Sequence, residues 1–391
     1  MIFNEVLIFI LVFLGVIDAA VWIYAYLSVK KSIAYLGKQR LCRETNYSEN
    51  FSVIIPTRND EKTIGETLKS LMNQDVKPRE IIIVDDGSSD STPKIIAWFK
   101  EQYKIIKYIR IDQLPKGWAP KVYALYRGVS EAKSDLLIFL DADVELQKNC
   151  LRSLLCYADK GGIASLMPRF ICNTVICRSL ETVLTTFSHA FLGFHRVFNS
   201  GDALAWFYGC CWGIRRDYLR ILGAFESVKG ELVEDKALAK IAKKKGVPIN
   251  VIDGSGCSST VWYGTLKENL SALTRILHSF GSNPFKSLPA SLLIFIGYYY
   301  PLISILAGMA LIDQHLIELG VLTYLITSFS HIIGARINRY PIYYIFTYLA
   351  TAFTLPLSLI KALKSRKIVE WRDRSLKLGE GSHEELLHNQ L

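Results

Sequence analysis

The sequence predicts a doubly wound α/β domain set between membrane helices at both ends of the chain. Three observations carry that prediction. Half of the 391 residues are apolar, and the longest apolar runs gather at the two ends. Between them, short apolar runs alternate with stretches of helical periodicity, the order expected of a parallel α/β sheet. Two of the short runs, "EIIIV" and "LLIFL", stop at pairs of aspartates.

The membrane elements come first. Residues 6–27 form a run long enough to cross a hydrocarbon core of about 30 Å, and 288–312, 316–335 and 341–363 are three more. The first run has no basic leader and no small-x-small cleavage site, and lysines follow it, so it reads as an anchor rather than a cleaved signal. Asp18 lies inside it. A carboxylate at the bilayer centre costs roughly 2.5–3.5 kcal/mol on insertion scales, so Asp18 must face another helix or carry a proton. The chain then divides into an anchor (1–30), a basic juxtamembrane linker (31–50), a water-compatible domain with interfacial helices (51–285), a second membrane cluster (286–363) and a basic tail (364–391).

The net charge of +10 hugs the membrane runs, with Lys30, Lys31, Lys38, Arg40 and Arg43 after the first and Lys361, Lys364, Arg366 and Lys367 after the last. By the positive-inside rule this is an integral membrane protein whose central domain is cytoplasmic and faces anionic lipid. No aromatic-basic motif points to nucleic acid. Four spans would leave the basic tail on the opposite side from the domain, so one carboxy-terminal run is re-entrant or interfacial, or a further span exists. Pro301 and Pro356 are the candidate breaks. The eight cysteines form no C-x-x-C, Cys210 and Cys211 are adjacent, and free thiols in a reducing compartment are expected. The seven histidines have no metal-like spacing.

Within the central domain, residues 51–55 read as a strand ended by Pro56, and 59–74 as a helix with Asn59 and Asp60 as cap candidates and Ile64, Leu68 and Leu71 on one face. "EIIIV" at 80–84 is a buried-type strand. The turn-forming "DDGSSDSTP" follows, and Pro93 starts a helix. Residues 104–111, 119–132 and 136–140 continue as strand, helix and strand. Residues 231–246 are helical, with Asp235 near the amino-terminal end. Residues 178–198 suit either an amphipathic helix at the membrane surface or a core helix. Trp206, Phe207, Tyr208 and Trp212 form an aromatic cluster that suits a sugar or lipid cradle, or a core.

Ligands of doubly wound sheets bind beyond the carboxyl ends of the strands. Asp85 and Asp86 end one predicted strand, and Asp141 and Asp143 end another. Residues i and i+2 of an extended chain project to one side, which aims Asp141 and Asp143 at one target. Two converging carboxylates repel unless a cation lies between them. Mg²⁺ or Mn²⁺, which keeps open positions for phosphates, is the natural choice.

These residues carry a resemblance. "VIIPTRNDEKTI", "EIIIVDDGSSDST", "FLDADV", "LPKGWAPKVYALYRGVSEAKSD" and "GELVEDKALAKIAKKKG" resemble the family 2 glycosyltransferases of GT-A fold, over roughly residues 50–285. Within that family the chain looks like the membrane-anchored branch of ceramide and hydroxychlorobactene-type carotenoid glucosyltransferases. The resemblance implies an inverting hexosyltransferase that moves a sugar from a UDP- or GDP-sugar to a membrane lipid or polyprenoid hydroxyl. It assigns Pro56, Asp85, Asp86, Lys121 and Asp141 to the nucleotide-sugar donor, Asp143 with Asp141 to the metal, and Asp235, beside Glu234, to general base catalysis. Such relatives often carry Q-x-x-R-W; this chain has only Arg275 of that motif, in Ala272-Leu273-Thr274-Arg275-Ile276, which makes Arg275 a candidate diphosphate contact and argues against a processive polysaccharide synthase. Two alternatives stay open: a polyprenyl-phosphate sugar transferase, and a non-catalytic membrane scaffold of the same fold.

Overall fold

A computed structural model describes residues 2–38, 50–281, 283–364, 368–371 and 374–377. The expected basic flanks at Arg40, Arg43, Arg366 and Lys367 lie outside the described residues. In chain order the elements begin with α1 (Ile2–Leu36), β1 (Phe51–Thr57), α2 (Ile64–Met72), β2 (Glu80–Asp85), α3 (Thr92–Gln102), β3 (Ile106–Arg110), α4 (Pro120–Glu131), β4 (Leu136–Leu140), β5 (Val144–Leu146) and α5 (Cys150–Asp159). There follow β6 (Ile163–Met167), β7 (Arg169–Ile171), α6 (Val175–Phe191), α7 (Phe194–Val197), β8 (Cys211–Arg215), α8 (Arg216–Ile221), α9 (Glu234–Lys244), β9 (Ile249–Asp253) and β10 (Ser258–Val261). Helices follow, α10 (Leu266–Gly281), α11 (Pro284–Leu311), α12 (Gln314–Ser330), α13 (Ile332–Ile337), a 3₁₀ segment (Ile342–Ala350) and α14 (Thr354–Lys364), and then two short paired strands, β11 (Ile368–Trp371) and β12 (Arg374–Lys377).

The chain divides into two compact units. One is made of Tyr35–Ile171, Phe194–Val261 and Ser375–Leu391, the other of Met1–Ala34, Cys172–Gly193 and Trp262–Arg374. The first holds a seven-stranded sheet of order β3-β2-β1-β4-β8-β6-β9. β3, β2, β1 and β4 run parallel, and β8 is antiparallel to both β4 and β6. β1, β2 and β4 are buried along their whole length, which is why each reads as an unbroken apolar run.

Boundaries differ from expectation where local chemistry intervenes. β1 does not stop at Pro56 but runs to Thr57, because its pairing with β4 has already ended at Ile54 and the missing proline N–H breaks no bond on that side. α2 starts at Ile64 rather than at Asn59. The Asp60 carboxylate is engaged by Thr57 Oγ1 at 2.9 Å and the Arg58 N–H at 3.0 Å, so it shapes the loop instead of the helix. A second sheet, β5-β10-β7, escaped the sequence reading because its strands are only three or four residues long. It pairs Leu146 with Ser258 and so brings Cys150 and Cys257 together as a disulfide with Cα atoms 5.6 Å apart. Cys172 and Cys177 form another, so the free-thiol expectation is corrected for these four; a separation of 107 residues hid the first pair. Cys210 and Cys211 are free thiols.

Among the described residues three helices are long and apolar enough to cross a membrane: Phe3–Leu36, Pro284–Leu311 and Gln314–Ile337. α1 continues to Leu36, beyond the predicted anchor. Pro301 does not break α11. A proline at that position leaves the carbonyl four residues back without its N–H, and the Gly297 carbonyl accepts instead from Trp22 Nε1 of α1 at 2.8 Å. Gly320 of α12 lets α11 approach closely, since a Cβ there would lie 2.8 Å from the Pro301 carbonyl. The fourth apolar run is the broken one: Ile342–Ala350 and Thr354–Lys364 meet at 45°. Pro356 falls in the first turn of α14, where a missing N–H costs no helical bond.

Candidate active site

The site is built at the carboxyl ends of β1, β2 and β4. Thr57 stands opposite Asp85 across the β1–β2 pair, and the Asp86 N–H donates to the Thr57 carbonyl at 2.9 Å. Asp85 is fully buried. Its carboxylate accepts from the Ser88 N–H at 2.8 Å, Ser88 Oγ at 2.5 Å and Tyr108 Oη at 2.6 Å, and Arg110 Nη1 lies at 3.4 Å. Burial and the neighbouring Asp85 push the Tyr108 phenol up to about 12, so it remains a donor. Asp85 thus organises the loop after β2. Asp86 pairs with Arg58 at 3.6 Å, and the Arg58 guanidinium also donates to the Asp86 carbonyl. The sequence reading missed Tyr108 and Arg110, although their i, i+2 spacing on β3 was the available signal.

On the other side of β1, β4 delivers Asp141 and Asp143. Their turn is fixed by Thr67 Oγ1 donating to the Ala142 carbonyl at 2.9 Å and by the Asp141 N–H donating to the Cys210 carbonyl at 2.8 Å. Thr260 Oγ1 of β10 lies 3.3 Å from Asp143 Oδ1. Lys121, in the first turn of α4, sits 2.9 Å from Asp141 Oδ1 and 2.9 Å from Glu234 Oε1. The lysine therefore ties the end of β4 to the start of α9. Burial disfavours its charge, but the carboxylates of Asp141 and Glu234 outweigh that and hold its pKa well above the usual lysine value.

Asp235 closes the group. A Cβ on Gly209 would lie 2.4 Å from Asp235 Oδ2, so any larger residue there would displace the Asp235 carboxylate. Gly209 leads directly to Cys210, whose carbonyl holds Asp141, and into β8. Burial, with Glu234 adding to it, pushes the Asp235 carboxyl up to about 6 against the pull of Lys121 and of the Lys236 and Gly209 N–H groups. Burial likewise raises Asp141 to about 7; Lys121 opposes this, while Asp143 and Glu234 add to it. A hard divalent cation would relieve the repulsion of carboxylates this crowded and would keep coordination positions for phosphate oxygens. Among the described residues no group of three or more His, Cys, Asp or Glu side chains is arranged to hold a metal ion.

The structure therefore brings Asp141, Asp143, Lys121, Glu234 and Asp235 together, with Asp85 and Asp86 at the end of the next strand but one. Pro56 lies in β1, buried and opposite Val84. Arg275 lies on α10 in the membrane unit, where its Nη2 is 3.2 Å from Tyr263 Oη.

A parallel-rich sheet with acidic pairs at two of its strand ends, one of them tied by a lysine to the acidic start of a helix, fits a GT-A architecture. A solved structure of similar fold is a mannosyltransferase from Pyrobaculum calidifontis in complex with GDP-Man and Mn²⁺, at a TM-score of 0.50 and 18% identity over 90% of this chain and 98% of that one. Residues 52–223 match the family described as Glycosyl transferase family 2. Among curated proteins it is similar to 4,4'-diaponeurosporenoate glycosyltransferases. With that of Staphylococcus haemolyticus it shares 31% identity over 56% of this chain and 59% of the relative; with that of Staphylococcus aureus, 25% over 53% and 54%. The chain thus spans less than two thirds of these relatives' length.

Proposed function

We propose that the protein is an inverting glycosyltransferase that moves a sugar from a nucleotide diphosphate donor to a membrane lipid or polyprenoid hydroxyl. The observation that carries this reading is the junction at Lys121, which joins the acidic end of β4 to the acidic start of α9. Asp86, at the end of the next parallel strand but one, would meet the nucleoside. Asp143 and Asp141 are the residues that would hold Mg²⁺ or Mn²⁺, which when bound supplies positive charge for the leaving diphosphate. Lys121 supplies a fixed positive charge in the same place. Asp235 takes the proton of the acceptor hydroxyl, and a carboxyl raised to about 6 is a stronger base than an ordinary aspartate yet still ionised at pH 7. A single displacement assisted by one base inverts the anomeric centre.

The names of the curated relatives favour a second reading of the acceptor. An acceptor named as an -oate is a carboxylate, which arrives ionised and needs no base. Asp235→Asn separates the two: a hydroxyl acceptor predicts lost transfer with donor binding retained, and a carboxylate acceptor predicts transfer close to wild type. Asp143→Asn should weaken Mn²⁺-dependent donor binding in either case. If Asp143→Asn binds UDP and GDP with Mn²⁺ as the wild type does, the metal assignment is wrong.

The broken fourth run supports one topology. With Phe3–Leu36, Pro284–Leu311 and Gln314–Ile337 as spans and the bent pair as a re-entrant loop, Lys361 and Lys364 return to the side that holds Lys30 and Lys31. The positive-inside rule then makes that side, and the glycosyl transferase domain with it, cytoplasmic.

A further inference from the structure

Within the unit that carries the site, a row of aromatic rings leads from the end of the first membrane helix to the proposed base. Tyr35, in the last turn of α1, lies 6.5 Å from Phe198 between ring centroids. Phe198 is 5.9 Å from Phe194, Phe194 is 4.5 Å from Trp206, and Trp206 is 5.1 Å from Tyr208. Phe170 flanks Tyr208 at 6.3 Å. Phe194 is buried and backs the row, whereas the other five rings are half-exposed. Along 205–208 burial alternates: Ala205 and Phe207 point into the core, and Trp206 and Tyr208 lie on the other side.

The segment that carries these rings is irregular but firmly held. Lys243 Nζ donates to the carbonyls of Arg196, Val197 and Leu204 at 3.2, 2.9 and 2.7 Å, and Arg196 pairs with Asp202 at 2.8 Å. The residue after Tyr208 is Gly209, whose missing side chain admits Asp235.

We propose that this aromatic row is the acceptor track and that it takes the apolar isoprenoid or polyene chain of a lipid acceptor, with the reactive end of the acceptor at Asp235. The inference rests on the transfer reading above and adds the residues that recognise the acceptor. The placement of the row's ends decides the occupant. One end stands on a helix whose preceding turns are apolar enough for lipid, and the other stands at the residue beside the base. A water-soluble acceptor gains nothing from an apolar path that begins at a membrane helix. A lipid chain does, because every methylene drawn out of the bilayer otherwise meets water. Ring faces also suit a flat, methyl-bearing chain, which gives wide contact at little entropy cost.

The test uses the full-length protein in lipid nanodiscs, with all-trans-retinoic acid as the isoprenoid probe and quenching of tryptophan fluorescence, checked by probe absorbance, as the readout. Trp206→Ala and Phe198→Ala should each weaken retinoic acid binding about tenfold, Trp206→Phe should recover most of the loss, and binding of UDP or GDP with Mn²⁺ should be unchanged in all three. A wild-type measurement guards against misfolded variants: a diazirine-bearing geranylgeraniol should crosslink to peptides from 194–208. Wild-type affinity for retinoic acid in both alanine variants, or crosslinks confined to α1, α11 and α12, would overturn the track. A wild-type protein that binds retinoic acid but no nucleotide diphosphate would instead sink the transfer reading and leave the track standing.

Discussion

Two of the places where the protein encloses carboxyl groups treat them differently. At the strand ends Asp141, Asp143, Glu234 and Asp235 crowd together, and Lys121 bonds two of them directly. In the membrane unit Glu181 of α6 is more deeply buried than most of these, and its hydrogen-bond partner is the hydroxyl of Thr185 at 2.9 Å, which Asn338 supports in turn. Burial pushes Glu181 up to about 8, so it is protonated at neutral pH. The difference teaches what each carboxyl is for. A neutral acid inside a helix bundle is a polar peg between helices, whereas a set of crowded carboxyls kept around an ammonium is poised for a changing charge, as a site that binds diphosphate and cation requires.

Lys121→Met should break this contrast most severely. Removing one partner of a buried pair costs about 3–5 kcal/mol, and with Lys121 a quarter exposed we expect roughly half of that, seen as a lower melting temperature, together with a fall in kcat/KM of at least about 100-fold. A variant with wild-type melting and activity would show that the ammonium is incidental. Gly209→Ala comes next. The added Cβ must push the Asp235 carboxylate aside, so kcat should fall on the order of 100-fold while calorimetry still finds nucleotide binding. Third, the rate of transfer to a hydroxyl acceptor should fall as pH drops through about 6, because Asp235 must be unprotonated to act and its pKa is raised to that value. Below it the decline should approach about tenfold per pH unit, and Asp235→Asn should lack this limb of the profile. The smallest effect belongs to the membrane unit: Glu181→Gln reproduces the protonated acid and should change stability by less than about 1 kcal/mol. If it destabilises as much as Lys121→Met, the two sites are not different in kind.

Much of the sheet was legible because β1, β2 and β4 are buried on both faces and so leave unbroken apolar runs, each checked by a turn or an acidic pair. β4 falls on residues 136–140 as expected. The acidic pairs were legible for the same reason, since a strand end is the one place a buried run meets the cleft. What could not be read were contacts between distant segments. Nothing local marks Gly209 as the residue that makes room for Asp235, or links Lys121 to Glu234 across more than a hundred positions. The β5-β10-β7 sheet was too short to leave a period, and the Cys150–Cys257 bridge depends on it. In the membrane unit the apolar runs announced themselves, but which one breaks did not follow from proline positions. Pro301 is accommodated by Trp22, and the bend falls between Ala350 and Thr354 instead.

The most direct measurement is calorimetric binding of a panel of nucleoside diphosphates to the purified full-length protein, with and without Mn²⁺, beside the Asp143→Asn variant. The arrangement at Asp141, Asp143 and Lys121 predicts Mn²⁺-dependent binding of at least one nucleoside diphosphate by the wild type, weakened at least about tenfold in the variant. A wild-type protein that binds none of them in the presence of Mn²⁺ or Mg²⁺ would contradict it.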